Sequence, residues 1–157
     1  LDLGCGCGNP PALPGYDCDG NEVGLQIGDQ HAGGIVFQIN EDGTGLVAYP
    51  CGNNQVDWPT ALTYGGMNTC AGYSDWSLPN LDELTLMYNT LGQGVGAPYI
   101  FTSGGLTFEV EDFEDYNWYW SSDESSGINA MGINFGNGNV TSMNKSYVGF
   151  IRQIRAF

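Results

Sequence analysis

The stretch Asp75–Gly92, "DWSLPNLDELTLMYNTLG", decides how the chain is read. Asn80 is a residue type whose side-chain oxygen can accept an orphan backbone N–H at a helix start, and Glu83 stands three residues on, as a capping box requires. Leu81, Leu84, Met87, Tyr88 and Leu91 then fall on one helical face, and Gly92 ends the run. The spacing predicts a helix whose apolar stripe is core rather than a cofactor box.

Upstream, "DWPTALTYGG" from Asp57 gives a shorter helical pattern, with Pro59 in its first turn and Gly65-Gly66 at its end. Before it, "GGIVFQINEDGTGLVAYP" places the β-rich runs Ile35–Ile39 and Leu46–Tyr49 on either side of six turn formers, which predicts a hairpin. His31, the single histidine, precedes this hairpin and is read as structural. Downstream, Tyr119-Trp120 lead into a second hairpin from about Ile128 to Asn144, turning at Gly136-Asn137-Gly138. A last strand, "VGFIRQIRAF", closes the chain.

With 157 residues and 41% hydrophobic content the chain is one domain long, and its 25 glycines favour turns and short strands over long helices. Residues 1–26 form a Gly/Pro/Cys-rich lead-in, and residues 27–157 form the domain. The formal charge of −15 argues against nucleic acid and against anionic membrane surfaces, both of which are bound through Lys and Arg clusters. No run of about eighteen apolar residues exists, so no membrane insertion is expected. The chain opens on Leu1 without a basic and apolar leader, which suggests either a processed product or, the favoured reading, the end piece of a longer surface or fibre protein.

Five cysteines without zinc-type spacing point to an oxidising compartment. Cys51 and Cys70 flank one short segment and are the first pairing expected; Cys18 then takes Cys5 or Cys7. Two acid-rich places suit a structural calcium ion. Asp17, Asp19 and Asn21 space three oxygen side chains two apart, although the glycine falls earlier than in an EF-hand and a plain Asx-rich turn reads the same residues. Glu111 and Asp112 belong to the run Glu109–Asp115, whose five carboxylates either spread into solvent or gather a hard cation. No cofactor is required by this reading.

Taken together and in order, "GYSDWSLPNLDEL", "YWSSDESSG", "INFGNGN" and the ending "IRQIRAF" resemble the C-terminal domain family of collagen-like bacterial adhesins, the Lcl C-terminal family. The resemblance runs from about Ile27 to Phe157. It implies an α+β, C-type-lectin-like fold: two helices packed on a small, irregular antiparallel sheet, with the terminal strands paired. It also implies kinship with the formylglycine-generating enzymes and with the variable proteins of diversity-generating retroelements. Trp76, Leu78, Pro79, Tyr119, Trp120 and Phe157 map onto its scaffold. Ser77 stands where the family usually has Arg, and the calcium-lectin signatures Glu-Pro-Asn and Trp-Asn-Asp are absent.

In the retroelement-diversified relatives, changeable residues occupy the last hairpin and its flanks, equivalent here to Ser122–Tyr147. That window holds Asp123, Glu124, Asn129, Met131, Asn134, Asn137, Asn139, Ser142, Asn144 and Tyr147. Asn and Ser adapt their hydrogen bonds to many partners, and Tyr and Met supply contact area. The expected function is extracellular recognition of a cell-surface glycan or protein by a domain displayed on a cell or virion surface. The alternative is a structural subunit or terminal cap of a filament, fibre or virion tip, contacting copies of itself in a homo-oligomer. Catalysis is not expected: one histidine and no Gly-x-Ser-x-Gly leave nucleophilic hydrolysis without a triad, and the acids are too abundant to single out a glycosidase pair.

Overall fold

The structure, a computed structural model, describes residues 24–49, 54–64, 70–91 and 118–157. Asp17, Asp19, Asn21, Glu111, Asp112, Cys51, Cys5, Cys7 and Cys18 lie outside the described residues, and with them both calcium expectations and the cysteine pairings.

The first hairpin forms where the sequence places it. Strands β2 (Gly34–Ile39) and β3 (Gly45–Ala48) pair antiparallel, with the two-residue β1 (Gln30–His31) on the outer side of β2. The turn closes because Asn40 N donates to Thr44 O at 2.7 Å and Gly43 takes a φ of 85°. A register shift between Val36 and Gln38 bends the pair. Ile35 and Phe37 enter one apolar cluster while Val36 and Val47 enter another with Tyr49, Cys70 and Trp76. This hairpin is therefore buried on both faces.

Helix α2 (Leu81–Leu91) carries the capping box in full. Asn80 Oδ1 accepts from Glu83 N at 2.8 Å, and Glu83 Oε2 accepts from Asn80 N at 2.9 Å. Leu84, Met87 and Leu91 are buried and pack with Ile35, Phe37, Tyr119, Ile133 and Phe135, so α2 lies between the hairpin and the later strands. Helix α1 (Trp58–Tyr64) sits on a second cluster with Leu78, Trp120, Ala130 and Ile151. Each buried indole N–H finds a carbonyl: Trp58 reaches Ser121 O at 2.8 Å and Trp120 reaches Val56 O at 3.1 Å.

A second sheet takes β4 (Asn54–Val56), β5 (Trp118–Glu124), β6 (Asn129–Asn134), β7 (Val140–Asn144) and β8 (Gly149–Ile151), in the order β4-β8-β5-β6-β7. Its pairs are antiparallel except β5 with β8, which is parallel. The architecture is α+β, with two sheets and two helices among the described residues.

The closing strand differs from the single run that "VGFIRQIRAF" predicts. It breaks at Arg152-Gln153 into β8 and β9 (Ile154–Ala156), and β9 leaves the second sheet to pair with β3 in the first. The first hairpin and the last strand thus share a sheet, and Gly45 and Phe157 exchange backbone hydrogen bonds at 3.1 Å. Ser77 bridges the other side of β9 through paired bonds with Ile154. No helix among the described residues is long and apolar enough to cross a membrane.

Candidate functional site

The sheet order creates the site. β7 lies at the edge of the second sheet and β8 lies three strands inward, so the connection 145–148 must pass β6 and β5 before it pairs. It is pinned as it does so. Lys145 N donates to Ile128 O at 2.9 Å, and Lys145 O accepts from Trp58 N at 3.1 Å. Lys145 Nζ stands 4.6 Å from the Trp58 ring centroid, 3.1 Å from Glu124 Oε1 and 3.1 Å from Gly127 O. Asn144 Oδ1 accepts from both Ser146 N and Ser146 Oγ, at 3.0 and 2.8 Å, and Tyr147 N donates to Asn144 O. At the far end, the missing Cβ of Gly149 makes room for the Trp120 indole, whose Nε1 is 2.7 Å from where that atom would sit.

Beside this crossing is an open groove of about 800 Å³. Trp118 lines it from β5, Asn129 from β6, and Ser142, Met143 and Asn144 from β7. Ser146, Tyr147 and Val148 line it from the connection. Asn129 and Asn144 are directly opposite in the ladder. Among the described residues neither the Asn144 amide nitrogen nor the Asn129 side-chain amide has a hydrogen-bond partner, and both residues line the groove. No Asp, Glu, Lys or Arg among the described residues lines it. A family model for the Lcl C-terminal domain matches residues 34–155, from the start of β2 into β9.

The chain belongs to the Lcl C-terminal domain family. No curated protein matches it.

Within this Lcl C-terminal domain the ten expected recognition residues separate into three groups. Asn129, Ser142, Asn144 and Tyr147 meet at the groove. Asn137 and Asn139 are exposed at the β6–β7 turn, where Asn137 Oδ1 accepts from Asn139 N at 2.9 Å; Met131 is half-buried on β6 opposite Ser142. The rest are structural. Asp123 accepts from Leu81 N at 2.6 Å and so holds the start of α2, and Glu124 pairs with Lys145.

Asn134 corrects the expectation that it is displayed. It is 7% exposed, and its Oδ1 accepts from Gly136 N at 2.8 Å, so its side chain shapes the turn from inside the domain. Trp118, Met143, Ser146 and Val148 line the groove without having been singled out in the sequence. Trp118 sits beside two aromatics that are pure scaffold, and Val148 reads as the first residue of a strand. The exposure of Ser146, Tyr147 and Val148, 63% and 66% for the last two, marks the connection as surface.

All three basic residues of the chain lie in the last thirteen positions, and each is committed. Lys145 serves Glu124 and Trp58. Arg152 is 1% exposed and bonds the carbonyl of Tyr49. Arg155 pairs with Asp75 at 2.5 Å and lies 3.8 Å over the Tyr73 ring. His31 is exposed and meets Phe157 edge-on at 4.6 Å, a packing contact. Cys70 is buried at 1% exposure. Among the described residues no group of three or more His, Cys, Asp or Glu gathers as a metal site would.

Proposed function

We propose that this Lcl C-terminal domain is a surface-displayed adhesive domain that binds a cell-surface glycan or protein through β7 and the connection that follows it, without catalysis. One observation carries the reading. The sheet order gathers Asn129, Ser142, Asn144 and Tyr147 around a single groove, and a groove with aromatic walls and a few convergent polar groups is the usual form of a ligand site. Ile128, Tyr147 and Val148 add exposed apolar surface close by. The scaffold beneath is stiff, since Trp58, Trp120 and Ala130 are buried against the same strands.

The reading as an assembly subunit draws on one feature. β7 is an edge strand, and its residues Val140, Thr141 and Ser142 are exposed, so its outer backbone is available to a neighbouring chain. The two readings diverge in a direct assay. The isolated domain and a Tyr147→Ala/Asn144→Ala variant are tested for attachment to whole cells, with unfolding midpoints checked in parallel. An adhesive domain loses attachment in the folded variant. Full attachment by that variant discards the groove, and concentration-dependent assembly with no attachment in either protein favours the subunit.

A further inference from the structure

We infer that the groove takes an uncharged saccharide; this rests on the adhesive reading above and names its ligand class. The lining matches the two faces of a sugar. A pyranose ring presents a patch of C–H groups, which the electron-rich face of an aromatic ring attracts, and Trp118 and Tyr147 supply two such rings. Its rim presents hydroxyls that both donate and accept, and side-chain amides answer in both senses. Asn129 offers a whole amide and Asn144 an amide nitrogen, while the hydroxyl oxygens of Ser142, bonded to Ser125 Oγ, and of Ser146, which donates to Asn144, keep acceptor capacity. At about 800 Å³ the groove has room for more than one ring.

Charge decides against acidic sugars. A sulfate or carboxylate held at a protein surface is met by Arg or Lys. None lines the groove, and none can be recruited without cost: Lys145 is held by Glu124 and the Trp58 ring, Arg155 by Asp75 and Tyr73, and Arg152 is inside the domain. The chain carries −15 besides, so a polyanion is repelled within a Debye length of roughly 8 Å at physiological salt. A neutral ring pays neither penalty, and its binding should change little with ionic strength.

The test uses the whole chain on an array that carries neutral glycans (gluco, galacto, N-acetylglucosaminyl and fucosyl oligosaccharides) together with sulfated and uronic ones. Lactose, maltotriose and N,N′-diacetylchitobiose serve as solution probes in saccharide-observed NMR. Neutral glycans are expected to bind, with Tyr147→Ala weakening them by about tenfold or more and Tyr147→Phe retaining most of the affinity. Because Tyr147 is 63% exposed, both variants are expected to fold. A preference for sulfated or uronic glycans overturns the inference. So does capture by cells that survives periodate oxidation of their glycans but is abolished by surface proteolysis, an outcome that leaves the adhesive reading standing with a protein ligand. Absence of binding to any glycan and any cell overturns both.

Discussion

Arg152, in the break between β8 and β9, donates from Nη1 to the carbonyl oxygen of Tyr49 across 3.0 Å. Tyr49 ends the β3 side of the first sheet and Arg152 ends the β8 side of the second, so a guanidinium inside the domain joins the two sheets at their shared seam. Burial pulls the Arg152 pKa down from its ordinary value, and Tyr119, through its charge and a hydrogen bond, and Tyr49 oppose that pull. The side chain stays a cation because a guanidinium begins so far above neutrality.

Truncating that side chain should cost a great deal. Arg152→Ala leaves a cavity and an orphaned carbonyl at a site only 1% exposed, and about 3 kcal/mol or more of stability is expected to go. Arg152→Lys keeps the charge but not the planar fork, and is expected to recover less than half of the loss. Urea unfolding of the three proteins measures both numbers. Equal stability of the Lys variant and the parent would show that charge alone, not the fork, ties the seam.

Asp123 and Asn134 spend their side chains on backbone N–H groups, those of Leu81 and Gly136. Asp123→Ala and Asn134→Ala should each lower stability by about 1–2 kcal/mol while leaving attachment unchanged when it is measured well below the transition. Asn144 also accepts from a backbone N–H, that of Ser146, but in an exposed connection, so Asn144→Ala should cost less stability, about 1 kcal/mol or under, and clearly reduce attachment. Calorimetry beside a cell-binding assay separates the two sets.

What the sequence made legible follows from how local each cause is. The capping box of α2 involves Asn80 and Glu83 alone, and the first hairpin needs only the turn chemistry of Asn40–Thr44, so both stand where their residues predict. The break in the closing strand is not local. Nothing within "IRQIRAF" stops a strand; the switch of sheets depends on Ser77 pairing with Ile154 and on a cavity for Arg152 built from distant segments. The groove is hidden for the same reason, because it exists only once β8 inserts beside β5. With Ile133 and Phe135 facing the core, the period-two rule of a strand would send Asn134 outward, but the rule fails where β6 enters its turn and Asn134 is buried with both neighbours.

Acid should loosen α1 before it reaches the core. Asp57 Oδ1 accepts from Thr60 N at 3.1 Å, and its hydrogen bonds to Thr60, side chain first and backbone second, hold the carboxyl below its ordinary value. Asp42 is depressed in the same way by Thr44. A carboxyl depressed on folding contributes stability that is present above its unfolded value and disappears as pH falls through its folded one, so the effect belongs to the range below roughly pH 4. Asp57→Ala should therefore melt below the parent at neutral pH, with a gap that is flat from roughly pH 6 to 8 and closes in acid. A gap that persists unchanged through the acid range would assign the helix start to packing of Trp58 instead.

Lys145 tests whether the groove is held by backbone or by charge. Its ammonium touches the Trp58 ring, Glu124 and the Gly127 carbonyl, and its side chain is 16% exposed against 56% for that of Glu124. The exposed carboxylate makes the ion pair weak, under about 1 kcal/mol, whereas the cation over a buried indole is worth about 0.5–2 kcal/mol. Lys145→Met keeps the apolar stem and removes the charge, and is expected to cost about 1 kcal/mol in urea unfolding. Glu124→Gln should cost less than half as much. Because the Lys145 N–H and C=O still bond Ile128 and Trp58, the connection should stay in place and ligand affinity should fall less than about tenfold. Raising salt should erase the Glu124 effect and leave most of the Lys145 effect, since a contact shielded by the indole is screened less than an exposed pair. If instead both effects vanish together in salt, the ion pair and not the ring anchors the crossing.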